Sequence, residues 1–126
     1  MGSARTFRDL IVWRRAIELA KAVYQATRAM PETERFGLIA QMRRAAVSVP
    51  SNIAEGNARH TLKDYIHFLS VARGSLAELE TQITIARELN MLNDPHPLVD
   101  LLSETDRLLQ GLIRSLQEKR KRSAPS

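Results

Sequence analysis

The chain has three imidazoles, His60, His67 and His96. His60 and His67 are seven residues apart and can share a helix face, but no second pair of ligands accompanies them, so they do not compose a metal site. A bundle that binds two irons needs Glu-x-x-His pairs on inward faces, and the sequence has none. Ser48, Ser51, Ser70 and Ser75 come with neither a nucleophile elbow nor a recognisable base. No glycine-rich phosphate loop follows a strand. The absence of cysteine excludes thiolate nucleophiles, disulfides, cysteine zinc sites and iron–sulfur clusters. The carboxylates form no spaced acid–base pair. These residues predict a protein that is not an enzyme and holds no cofactor.

The chemistry that remains is that of arginine. Fifteen of the 19 basic residues are Arg, the side chain suited to bidentate contact with phosphate or carboxylate. The net charge of +5 is uneven: residues 1–60 carry ten basic groups against five acidic, and residues 61–116 carry five against eight. Arg14, Lys21 and Arg28 recur every seven residues and form one line along a helix. Arg43 and Arg44 lie together further on, Arg59 follows, and Lys119, Arg120, Lys121 and Arg122 form a basic end. These ten are candidate nucleic-acid contacts. Two other uses compete: pairing within the bundle, with Arg43 meeting Glu78 or Glu80, or attraction between oppositely charged faces of separate copies.

Helical periodicity supplies the elements that must carry these side chains, and nothing reads as a strand. The first segment, about Arg8 to Ala29, places Leu10, Trp13, Ile17, Ala20, Tyr24 and Thr27 on one face, behind a capping box of Thr6 and Asp9. The second, about Thr33 to Glu55, has Phe36, Ile39, Met42, Ala46, Val49 and Ile53 as its stripe. Pro50 falls inside it, and we expect a kinked but continuous helix with Ser48, Ser51 and Asn52 satisfying freed backbone groups and Gly56 as its stop. The third, about Leu62 to Leu89, starts at a Thr61–Asp64 capping box. The fourth, about Pro95 to Lys119, starts behind Asp94 and carries Leu98, Leu102, Thr105, Leu109, Leu112 and Leu116. Short connections make neighbours antiparallel, so the predicted fold is all-α, an up-down-up-down four-helix bundle over residues 6–118. Residues 1–5 are expected to be flexible and residues 119–126 to be a disordered basic tail. No charged-then-apolar leader opens the chain, and no apolar run approaches the roughly 18 residues of a membrane span, so a cytoplasmic protein without membrane contact is expected.

The apolar surface exceeds what one bundle needs. Val12, Leu19 and Ala26 lie roughly 100–140° from the centre of the first stripe, and Val71 and Ile85 lie nearly opposite Leu69 and Leu76. Gly74 and Ser75 read as a site of close approach, since glycine inside a helix costs about 1 kcal/mol relative to alanine. Val12, Leu19, Val71, Gly74, Ser75 and Ile85 are therefore the candidate contacts of a homo-oligomer.

Three segments carry a resemblance. They are Phe7-x-x-Leu10-x-Val12-Trp13-x-x-Ala16; Phe36-Gly37-Leu38-x-x-Gln41-x-Arg43-Arg44 running through Ser48-Val49-Pro50-Ser51-Asn52-Ile53-Ala54-Glu55-Gly56 to Arg59; and Ala72-Arg73-Gly74-Ser75-Leu76-x-Glu78-Leu79-Glu80-Thr81-Gln82. Over residues 7–92 the chain resembles the four-helix-bundle proteins encoded in intervening sequences of bacterial 23S ribosomal RNA genes, which are related to the accessory variability proteins of diversity-generating retroelements. The resemblance implies a cytosolic bacterial bundle assembled as a homo-oligomeric ring, a pentamer, with RNA, DNA or a reverse-transcriptase-like protein as partner. It leaves the facing of Arg43, Arg44 and Arg59 open among nucleic acid, a neighbouring subunit and their own bundle. Ser48, Pro50, Asn52, Glu55 and Gly56 read as a structural motif, with Glu55 accepting from Arg43, Arg44 or Arg59.

Overall fold

The computed structural model describes residues 6–123, whose regular elements are helices, with no strand among them. The helices are α1 (Ile11–Thr27), α2 (Leu38–Asn57), α3 (Leu62–Glu88) and α4 (His96–Ser123), with single 3-10 turns at Phe7–Asp9 and Glu32–Glu34. The local signals explain the boundaries. Thr6 Oγ1 accepts from the Arg8 N–H and the Asp9 carboxylate accepts from the Thr6 N–H, but this capping box heads the 3-10 turn. Leu10 is extended, so α1 starts after it. Glu34 accepts from the Leu38 N–H at 3.2 Å and closes the entry to α2. Asn90, at φ 58°, ends α3 in the left-handed conformation, with the Met91 N–H returning to the Ala86 carbonyl at 2.8 Å. Asp94 accepts from the His96 N–H at the head of α4.

Each helix packs on two others: α1 on α2 and α4, and α3 on α2 and α4. The Ser48–Ser75 and Asn57–Tyr65 contacts advance along α2 while receding along α3, so that pair is antiparallel. Arg73 meets Asp106, while Ile83 and Arg87 lie beside Val99 and Leu102, which sets α4 against α3 in the same sense. The molecule is an all-α four-helix bundle, with α3 antiparallel to both α2 and α4.

Three expectations are corrected. The buried face of α1 is Val12, Ala16, Leu19, Val23 and Thr27, whereas Trp13 and Ile17 are half-buried and Tyr24 is exposed. Val12 and Leu19 thus belong to the protomer's own core and are not subunit contacts. The reason is steric. Ala16 and Thr27 let α1 approach its neighbours, and the Trp13 and Tyr24 rings go to the rim, where polar edges reach water. Second, α2 runs through Gly56 to Asn57, so Gly56 is not a helix stop. A Cβ there would lie 2.9 Å from Phe68 Cβ and 3.1 Å from the Tyr65 carbonyl oxygen. Gly56 is where two helices of the protomer meet too closely for a side chain; at Gly74 the protomer leaves the space open. Third, Lys119–Arg122 are the last turn of α4 and not a disordered tail. Lys and Arg are good helix formers, their charges suit a helix C-terminus, and no breaker precedes Pro125. Residues 1–5 and 124–126 lie outside the described residues.

Candidate nucleic-acid interface

The Ser48-to-Gly56 motif forms a polar seam between α2 and α3. Pro50 is buried within a continuous α2. Ser51 Oγ donates to the Val47 carbonyl and Asn52 Nδ2 to the Ser48 carbonyl, each at 2.8 Å, which ties the helix together around the missing N–H. Ser48 Oγ and Ser75 Oγ are 2.8 Å apart, and Asn52 Nδ2 also reaches Ser48 Oγ at 2.9 Å. Asn57 Nδ2 donates to the Tyr65 hydroxyl at 3.1 Å, one residue beyond the Gly56 contact. Burial holds the Tyr65 phenol above its ordinary pKa, partly offset by that hydrogen bond. Glu55 accepts from Arg59 at 2.7 Å, and not from Arg43 or Arg44. Ser48, Pro50, Asn52 and Gly56 act within the bundle, whereas the Glu55–Arg59 pair lies on its surface.

The arginines divide. Arg43 belongs to its own bundle: Nε donates to Thr27 Oγ1 at 2.9 Å, and its guanidinium lies 4.6 Å from the centre of the Tyr24 ring. It meets neither Glu78 nor Glu80. Arg59 pairs with Glu55 and lies 4.6 Å over Phe68. Arg14, Lys21, Arg28 and Arg44 are exposed and have no ion pair among the described residues. Lys21 and Arg28 flank Ile17, Ala20 and Tyr24 on α1. Tyr24 then joins a second hollow with Phe36, Ala40, Arg43, Arg44 and Val47 on the α2 side. The first half of the chain therefore presents a cationic face, with apolar and aromatic surface between the charges. Lys119–Arg122 form a separate exposed cluster at the end of α4.

Of the proposed subunit contacts, Val71 and Ile85 are exposed, at 40% and 44%, and Gly74 is exposed beside them. Ser75 is buried on Ser48 and contributes to the seam instead. Leu89 extends the α3 strip. Sequence reasoning missed Phe36 as surface: it counted the ring in the core stripe, but the ring is 88% exposed. Its position beside Gly37, before the first turn of α2, was the available signal. Gln82 is buried, and its Oε1 has no hydrogen-bond partner among the described residues.

The family description "23S rRNA-intervening sequence protein" matches residues 8–114. The chain belongs to this family. No curated protein matches it. The family match spans all of α1 to α3 and most of α4, so both the polar seam and the cationic face of this 23S rRNA-intervening sequence protein lie inside the shared region, and Lys119–Arg122 lie beyond it. His60, His67 and His96 do not converge. Among the described residues, no group of three or more His, Asp or Glu side chains is arranged to hold a metal ion. Among the described residues, no helix is long and apolar enough to cross a membrane.

Proposed function

We propose that this family member is a non-enzymatic homo-oligomer, a pentameric ring as the resemblance implies, that binds nucleic acid or an enzyme acting on nucleic acid. The observation that supports it is the unpaired cationic face of α1 and α2. Arg14, Lys21, Arg28 and Arg44 are exposed without carboxylate partners, so their charge is available to phosphate. The fold does not use these charges, whereas Arg15, Arg59 and Arg73 are committed to acids. Copies of the chain meet through the exposed α3 strip of Val71, Gly74, Ile85 and Leu89, which leaves the cationic face open.

The reading is tested by titrating labelled RNA and DNA with the protein across a salt series. Phosphate contact predicts binding that weakens linearly in log salt. Neutralising Lys119, Arg120, Lys121 and Arg122 to glutamine separates the helix-end cluster from the α1–α2 face: binding that persists belongs to the face. Absence of binding at low salt, or an affinity indifferent to salt, overturns the reading. The same α3 strip favours one rival, a scaffold that only assembles with itself or another protein; that rival predicts assembly without any nucleic-acid affinity. Sedimentation equilibrium tests assembly separately. A 14.2 kDa particle that persists on concentration rejects it.

A further inference from the structure

The hollow between α1 and α2 has a feature that phosphate contact alone does not require. Phe36 is almost wholly exposed, and the Arg35 guanidinium lies 5.3 Å from its ring centre. Arg35 is itself steadied by Glu32 at 3.4 Å. Across the same hollow, Tyr24 is 39% exposed with Arg43 stacked on it. Arg44 lies in this lining and has no acidic partner among the described residues. The space is about 520 Å³ and open to solvent. Two aromatic rings, each carrying a guanidinium, thus border a cationic groove.

We propose that this groove binds single-stranded nucleic acid, with an unpaired base stacked on Phe36 and its backbone phosphate on Arg44. The inference rests on the proposed nucleic-acid function and narrows its substrate class. An exposed aromatic face can stack only on a base whose own face is free. In a duplex both faces of each base are covered by neighbours, and exposing one means unstacking a step. Arg35 and Arg43 extend the stacking surface, because guanidinium planes also lie flat on bases. The anionic backbone complements Arg44 and the neighbouring Arg28 and Lys21, which are free of acidic partners among the described residues. Stacking tolerates any base, so the groove recognises strandedness and not sequence.

The test is fluorescence anisotropy with a labelled oligothymidylate and a labelled duplex of equal length, on the full chain in its native assembly. Wild type binds the single strand more tightly than the duplex. Phe36→Ala weakens single-strand binding roughly 5- to 150-fold, the range for losing one base–aromatic stack, and leaves duplex binding and the salt slope unchanged. Arg44→Ala instead lowers the salt slope by about 0.7, the value for one phosphate on a single strand. Both side chains are exposed, so the variants fold, and their helicity by circular dichroism matches wild type. Equal affinity for strand and duplex, or a Phe36→Ala effect shared by both probes, overturns this inference and leaves the broader one standing. No binding of either probe overturns both. A fall in solution mass with Phe36→Ala identifies the groove as a contact between copies of the chain, and likewise overturns it.

Discussion

Replacing Gly56 and Gly74 in turn by alanine separates two uses of a helical glycine. Each substitution gains the propensity difference between the residues, about 0.5–1 kcal/mol in a helix interior. At Gly74 nothing lies within 4 Å of the new methyl group, so the protomer keeps the whole gain. At Gly56 the methyl group meets Phe68 Cβ at 2.9 Å and the Tyr65 carbonyl oxygen at 3.1 Å. Neither atom is the tip of a flexible side chain, so α3 must retreat from α2 as a body. Overpacking of this kind costs typically about 1–3 kcal/mol, and the start of α3 also carries the Asn57–Tyr65 hydrogen bond. The contact being tighter than van der Waals distance places the cost in the upper part of that range. Gly56→Ala then loses about 1–2 kcal/mol net and Gly74→Ala gains about 0.5–1 kcal/mol. Urea unfolding followed by circular dichroism, at fixed protomer concentration, reads the difference as opposite shifts in midpoint with an unchanged slope. Gly56→Ala as stable as wild type refutes the close-approach argument.

Arg43→Ala removes both the Thr27 hydrogen bond and the Tyr24 ring contact and lowers stability by about 1–2 kcal/mol, whereas Arg44→Ala stays within about 0.5 kcal/mol; urea midpoints distinguish them. A double-mutant cycle on Ser48→Ala and Ser75→Ala shows a coupling of about 0.5–1.5 kcal/mol, and additivity contradicts the hydroxyl contact. Tyr65 keeps its proton to higher pH in the native protein than in the unfolded chain, so its contribution to stability is complete below the unfolded value of 10.0 and falls as pH rises beyond it. Unfolding midpoints of wild type and Tyr65→Phe, compared from neutral to strongly alkaline pH, check that sign.

The helices were legible because their signals are local. Thr61, Asp94 and Asn90 act within one turn of themselves. The rotation of α1 was not legible. Its two apolar stripes lie roughly 100° apart, and side-chain bulk favoured Trp13, Ile17 and Tyr24 over Val12, Ala16 and Val23. Which stripe goes inside depends on how near α2 and α4 can come, a distance that periodicity does not contain. The role of Gly56 was hidden for the same reason: a glycine shows that room is needed or tolerated, and only the neighbouring helix decides which. The arginine candidates were legible as a set, since charge and heptad spacing survive folding. Their division was not. Arg43 and Arg44 are adjacent in sequence, but one step of about 100° turns the first onto Tyr24 and the second to solvent.

The central claim is that the unpaired cations of α1 and α2 receive phosphate. The measurement that meets it most directly is the affinity of wild type for a single-stranded probe as a function of salt. Engagement of three or four of these side chains predicts a log–log slope of about −2 to −3. A slope near zero, or no binding at low salt, contradicts it.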